Sequence, residues 1–266
     1  VSASADPTKR FSDRVEHYVR ARPGYPREVL DVLAEGLGLT RDWVVADVGS
    51  GTGISTGLFL EGGHRVFAVE PNAEMRAAAE ARLGGRAGFT SVDGTAEATG
   101  LADRSVDLVV CAQAFHWFDA AAARREFLRI LRPGGGVALI WNTRHMDTTP
   151  FLRAYEALLQ EYGTDYREVG HRAVEGLRVA ALFGEGAWLR RTLPNEQRLD
   201  LEGLRGRLLS SSYVPAAGHP RQAPMVAALE RLFEQHARDG VVRFGYDTEI
   251  YLGRLDGRPP AQGASR

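Results

Sequence analysis

Val44-V-A-D-V-G-S-G-T-G53 runs a short apolar segment, interrupted only by Asp47, into three glycines at alternate positions. An apolar run without polar alternation suits a strand buried on both faces, as in a parallel sheet covered by helices. Glycines at its end let the backbone turn and come close to a ligand. The turn opens a helix that continues to Leu60. The first amides of a helix have no partner within it and face whatever sits on the turn. In open sheets of this kind, ligands lie at the carboxyl ends of the strands.

The glycine spacing narrows the ligand. A dinucleotide fingerprint needs Gly-x-Gly-x-x-Gly. Counted from Gly49 the third glycine falls on Ile54, and counted from Gly51 it falls on Thr56. No Lys-Ser/Thr pair follows, so the turn is not a P-loop either. About twenty residues on, His64-R-V-F-A-V-E70 reads as a second strand ending in an acid. A carboxylate there can accept hydrogen bonds from both hydroxyls of a ribose.

Outward from this pair the pattern alternates. Asn72 can cap a helix over Ala73–Arg82, and Gly88–Val92 is a weak third strand. Val106–Ala112 is the fourth strand, Ala120–Leu131 an amphipathic helix stopped by Pro133-G-G-G136, and Val137–Trp141 the fifth strand. On the amino-terminal side, Phe11–Arg20 and Pro26–Gly38 have helical character. Beyond about residue 145 the rhythm breaks. Helices of mixed character fill 150–183, Trp188–Leu193 and Val241–Leu252 read as late strands, and Asp200–Leu209 and Pro224–Ala237 read as helices. Alternating strands and helices imply an α/β sheet with helices on both faces.

The 266 residues are 44% hydrophobic and 25% charged with a formal charge of −1, so no basic footprint for nucleic acid is present. No apolar stretch reaches the ~18 residues of a membrane span. The first ten residues lack the apolar centre of a signal peptide, and the single cysteine, Cys111, sits in an apolar run. The chain is therefore expected to be cytoplasmic. The seven histidines show no metal-ligand spacing, so no metal is expected.

Asp47-V-G-S-G-T-G53 with Glu70 resembles motif I of the class I S-adenosylmethionine-dependent methyltransferases. Gly94-T-A-E97 is similar to their adenine-bordering loop, and Leu131-R-P-G-G to their turn before strand five. Ala112-Q-A-F-H-W-F-D119 resembles the segment after strand four in the small-molecule branch related to the ubiquinone and menaquinone methyltransferases. Phe11-S-D-R-V-E-H-Y18 and Arg22-P-G-Y-P26 resemble that branch's amino-terminal lid. The likeness is strong over about residues 10–145 and looser over 185–252.

It implies a Rossmann-like, mostly parallel, seven-stranded sheet in a single domain over 1–266. Lid helices would occupy 1–38, the cofactor core 39–145, a helical insertion 146–186, late strands and helices 187–253, and a tail 254–266. It also implies S-adenosylmethionine as cofactor, held by Tyr18, Arg22, Asp47, Gly49, Ser50, Gly51, Gly53, Glu70, Pro71, Met75, Thr95, Ala96, Glu97 and Gln113. Many relatives carry Asp where this chain has Thr95. Adenine would then rest on the backbone around Ala96, on Asn72 and Met75, or on Asp93.

The aromatic run after strand four gains a reason on this reading. Aromatic faces suit a sulfonium and an apolar acceptor. His116 can take a proton, while Phe115, Phe118 and Trp117 are also candidates for plain core. Tyr25 and Tyr213 join His116 as candidates for the chemistry, and Trp141, Asn142 and His145 are expected to follow strand five into the same pocket. The expected reaction is methyl transfer to a small-molecule acceptor, with secondary metabolism as the setting suggested by the Ala/Arg/Gly-rich composition and the branch. A nicotinamide-dependent oxidoreductase and a non-catalytic cofactor-binding protein are the alternatives. The first conflicts with the failed third glycine and the second with the intact acid and glycine set.

Overall fold

The computed structural model describes residues 22–164, 166, 172–184, 187–211 and 213–257. The expected helix over 11–20, Tyr18 and the tail beyond 257 lie outside the described residues. Seven strands form one sheet: β1 Val44–Val48, β2 Arg65–Val69, β3 Phe89–Val92, β4 Val106–Ala112, β5 Leu131–Arg144, β6 Trp188–Leu199 and β7 Val242–Gly253. Their order is β3-β2-β1-β4-β5-β7-β6. The first five run parallel, and β7 is antiparallel to both β5 and β6.

Every residue of β1 is buried, as its unbroken apolar pattern requires. On one face Val45, Leu108, Val110 and Ile140 pack under α1 (Val29–Leu37) and α2 (Ile54–Glu61). On the other, Ala46, Val109, Cys111 and Leu139 meet Phe127 and Ile130 of α4 (Ala120–Ile130) and Val179, Leu182 and Phe183 of α6 (Arg172–Phe183). The remaining core-side helix, α3 (Ala73–Leu83), begins at Asn72, whose side chain accepts from the Met75 amide as the sequence suggests.

A third cluster stands apart. α5 (Pro150–Tyr162), α7 (Leu201–Leu209) and α8 (Gln222–His236) enclose Tyr155, Leu159, Leu204, Leu208, Met225 and Leu229 against Phe244 and Tyr246 of β7. Tyr246 is opposite Arg144, the last residue of β5. The residues of β7 before it pair only with β6. Antiparallel β7 thus carries this cluster past the carboxyl end of β5, where it forms a cap over the ligand side of the sheet.

Two boundaries differ from the sequence reading. Pro133-G-G-G136 is not a turn before strand five: β5 begins at Leu131 and runs through it. A side chain at Gly136 would lie 2.7 Å from Leu37, and one at Gly135 would lie 2.8 Å from the Asp107 carbonyl. The glycines serve close passage between α1 and β4, where the β4–β5 register shifts. β6 continues past Leu193 through Pro194, which an edge strand tolerates.

Candidate functional site

β1 ends against β2. The amides of Gly49 and Ser50 both donate to the Val69 carbonyl, at 2.9 and 3.1 Å. Gly49 has φ 70°, and a Cβ there would stand 2.6 Å from the Ala114 Cβ, so the turn passes directly over the end of β4. Gly51, at φ 55°, is different: among the described residues beyond its chain neighbours, no atom lies within 4 Å of where its Cβ would point. Its amide donates to Glu70 Oε2 at 2.9 Å. Gly53 closes the turn by donating to Ser50 O at 2.9 Å, and α2 follows.

Asp47 is fully buried below the turn. Its Oδ2 accepts from Ser55 Oγ at 2.7 Å and Thr56 Oγ1 at 2.6 Å, both on α2. Among the described residues its Oδ1 has no hydrogen-bond partner, and neither do the buried hydroxyls of Ser50 and Thr52. Burial pushes the Asp47 carboxyl up to about 6, the Thr56 and Ser55 bonds draw it back, and the Glu70 charge adds to the rise. Glu70 is also raised by burial, against the pull of the Asn72 and Gly51 amides. Glu70 Oε1 accepts from Asn72 N at 2.9 Å, so its carboxylate ties the glycine turn to the start of α3.

Around that corner Arg76 Nη1 donates to the carbonyls of Glu70 and Pro71 and to Asp93 Oδ1. Asp93 is thereby paired, and Met75 is buried. Thr95 is exposed, and its hydroxyl accepts from the Ala98 amide at 3.2 Å. Ala96 is buried in the core. Glu97 Oε1 accepts from Asp119 N at 3.0 Å, fastening the loop after β3 to the segment after β4.

At the carboxyl end of β4, Gln113 adopts φ 57°, a left-handed conformation that few non-glycine residues hold. Its amide donates to Ile140 O, and Nε2 donates to Asn142 O at 3.1 Å. Phe115, His116 and Trp117 form one 3-10 turn. Phe115 is core, and half-buried Phe118 meets it edge-on at 5.9 Å. Trp117 is not core: it is 39% exposed, with the half-buried His116 ring 4.7 Å away.

The end of β5 holds a junction that the sequence only partly indicates. Asn142 Oδ1 accepts from Thr248 Oγ1 at 2.6 Å and from Asn195 Nδ2 at 3.1 Å. Asn142 Nδ2 and Asn195 Nδ2 both donate to Gly24 O. Asn195 escaped the sequence reading because nothing marks one asparagine in an edge strand. The Arg22–Tyr25 segment is thus strapped across β5 and β6. Arg22 Nη2 reaches the Ser210 carbonyl at 2.9 Å, and Tyr25 packs against the core below α1.

Trp141 belongs to β5 itself and is buried edge-on to Tyr251, so it does not line a pocket after the strand. His145 packs on Gly245 and meets Asp247 Oδ1 at 3.0 Å. Tyr213 lies in the cap beside Tyr166. Burial pushes its hydroxyl up, but the charges of Arg207, Arg22 and Arg144, with a Ser211 hydrogen bond, outweigh it and the net displacement is downward. The turn, both acids, Gln113 and the His116 turn therefore share one end of the sheet, while Arg22 and Tyr213 meet in the cap.

Among the described residues no helix is long and apolar enough to cross a membrane, and no cluster of His, Cys, Asp and Glu is able to hold a metal ion. A family profile described as methyltransferase domain matches residues 46–139. The chain is similar to an uncharacterized methyltransferase of Mycobacterium tuberculosis, 42% identical over 139 residues, 52% of this chain and 54% of the relative. It thus spans about half the length of that relative. It is 32% identical over 155 residues to an uncharacterized methyltransferase of Geobacillus kaustophilus, covering 55% of this chain and 71% of the relative. Among solved structures, a protein of Anaeromyxobacter dehalogenans described as a type II methyltransferase superposes with a TM-score of 0.66 at 25% identity, over 90% of this chain and 99% of its own.

Proposed function

The chain belongs to the class I S-adenosylmethionine-dependent methyltransferases, and we propose that it moves a methyl group from S-adenosylmethionine to a small-molecule acceptor of secondary metabolism. We take residues 1–266 as one methyltransferase unit. The observation that carries the reading is Asp47. A carboxylate with one oxygen unpartnered, fully buried beneath a glycine turn, is costly without a ligand that offers a donor or a positive charge. The unpartnered hydroxyls of Ser50 and Thr52 and the open side of Gly51 support the same placement. This donor and acceptor set fits a cationic amino-acid nucleoside.

Asp47, Ser50, Gly51 and Thr52 would hold its amino-acid end. Glu70, already organised by two amides, has lone pairs left for ribose hydroxyls. Pro71, Met75 and the Thr95–Glu97 loop would border the adenine. When bound, S-adenosylmethionine supplies a methyl group on a positively charged sulfur. The chain's own part is to place the acceptor in line, keep water out and receive a proton where the acceptor has one to lose. We assign the proton to His116 on its turn after β4, and positioning of the acceptor to Tyr25 and Tyr213. Trp117, exposed beside His116, offers an aromatic face to the same space.

Parallel calorimetric titration with S-adenosylmethionine, S-adenosylhomocysteine and NADH tests the reading. The first two should bind and NADH should not. Glu70→Ala should weaken S-adenosylhomocysteine by about 1.5–3 kcal/mol, the worth of hydrogen bonds to a charged acceptor. Binding of NADH alone would overturn the proposal.

A further inference from the structure

We propose that the acceptor carries an anionic group, a carboxylate or a phosphate, and that Arg207 of α7, with Tyr155 and Arg144, receives it. The inference rests on the methyltransferase reading and names its substrate class. Arg207 is buried, 5% exposed, yet no carboxylate pairs with it among the described residues. Nε donates to the Tyr246 hydroxyl at 3.2 Å and Nη1 to the Ser211 hydroxyl at 3.0 Å. Guanidinium groups are taken out of water where a carboxylate or phosphate answers their planar fork. A buried cation without an anion is costly, and an anionic ligand offsets that cost.

A second guanidinium stands nearby. The Arg144 guanidinium stands over the Tyr155 ring, 5.3 Å from its centre. The carboxylate of Arg144 is Glu156, which also accepts from the Tyr166 hydroxyl. The Tyr155 hydroxyl is fully buried and has no hydrogen-bond partner among the described residues. Arg22 reaches the same wall through Ser210 O. Burial raises the Tyr213 hydroxyl, and the charges of Arg207, Arg22 and Arg144 draw it down. Of Arg144 and Arg207, only Arg144 meets a carboxylate among the described residues.

The location suits an acceptor. Arg144 ends β5 opposite Tyr246, whose hydroxyl receives Arg207. Two residues back, on the same side of the strand, Asn142 is bound by Gln113 from the end of β4. The cationic group therefore floors the cap next to the strand end that carries His116. A purely structural role for Arg207, tying α7 to β7, makes the opposite forecast about ligands.

The test uses the full chain saturated with S-adenosylhomocysteine. Citrate and inorganic phosphate are titrated calorimetrically, with chloride at matched ionic strength as the blank. At least one probe should bind with a dissociation constant of about 1 mM or tighter, and which one does so separates carboxylate from phosphate. Arg207→Met should weaken that probe about tenfold or more and leave S-adenosylhomocysteine affinity unchanged. Tyr155→Phe removes a hydroxyl that bonds nothing in the free chain, so it should fold as well as wild type and still weaken the probe; it decides the matter if Arg207→Met does not fold. Neither probe binding above chloride, or either folded variant binding like wild type, overturns the proposal. Failure of S-adenosylhomocysteine to bind would instead strike the cofactor reading, and the same titrations without it still judge the anion site.

Discussion

Asp47→Asn separates electrostatics from shape at the centre of the site. The carboxyl is fully buried and pushed up from 3.8 to about 6, chiefly by burial. Between those values the folded chain holds a proton that the unfolded chain has lost. Its contribution to stability therefore falls as pH rises from 3.8 to about 6 and is level above. A gap of about two units corresponds to about 3 kcal/mol. Asparagine keeps an oxygen for the Ser55 and Thr56 hydroxyls and carries no charge. Urea unfolding from about pH 4 to about pH 7.5 should show the variant gaining on wild type by about 3 kcal/mol. Affinity should move the other way. A cationic ligand favours the ionised acid, so wild-type binding of S-adenosylmethionine should strengthen as pH rises towards 6 and release protons below it. The variant should bind more weakly and lose that slope. A stability difference that is constant with pH, or one that turns against the variant as pH rises, would refute the reasoning.

Gly51→Arg should keep the fold, because no atom lies within 4 Å of its Cβ position, at a cost of about 1–2 kcal/mol for left-handed backbone. It should abolish S-adenosylhomocysteine binding in calorimetry, and wild-type affinity would remove the turn from the site. Glu126→Gln addresses the support of the loop after β3. Glu126 accepts from the Thr99 amide at 2.8 Å and from the Arg129 fork, which with Thr99 holds it down to about 2 against the burial that would raise it. That stability is present above 4.5 and lost as pH falls towards 2. With partly exposed Arg129 screened by solvent, the variant should lose about 2 kcal/mol at neutral pH and nothing near pH 2; equal urea midpoints at neutral pH would sink this account.

The two halves of the site differ in how far local sequence can encode them. The half proposed for the cofactor is made by backbone: a buried strand, a turn at positive φ, a helix start and an acid at the next strand end. Each depends on neighbours in the chain, so the glycine turn, buried Asp47 beneath it and Glu70 at the end of β2 could be expected together from their spacing. The end of β4 was half legible. Its aromatic residues stood out, but which one faces solvent depends on the 3-10 turn that buries Phe115 and turns Trp117 outward.

The cap is made by contacts between distant segments. In Leu201-E-G-L-R-G-R-L-L209 one arginine looks like any surface arginine of a short helix. In the fold it is buried and donates to the Tyr246 hydroxyl, 39 residues away. The orphan hydroxyl of Tyr155 is equally silent in sequence, where a tyrosine at helical spacing reads as core. The asymmetry follows from the division of labour in such an enzyme. One ligand, presented to the backbone at strand ends, can be held by a local motif. An acceptor recognised by side chains needs charges gathered from β5, α5 and α7, and only the closed fold brings Arg144, Tyr155 and Arg207 together.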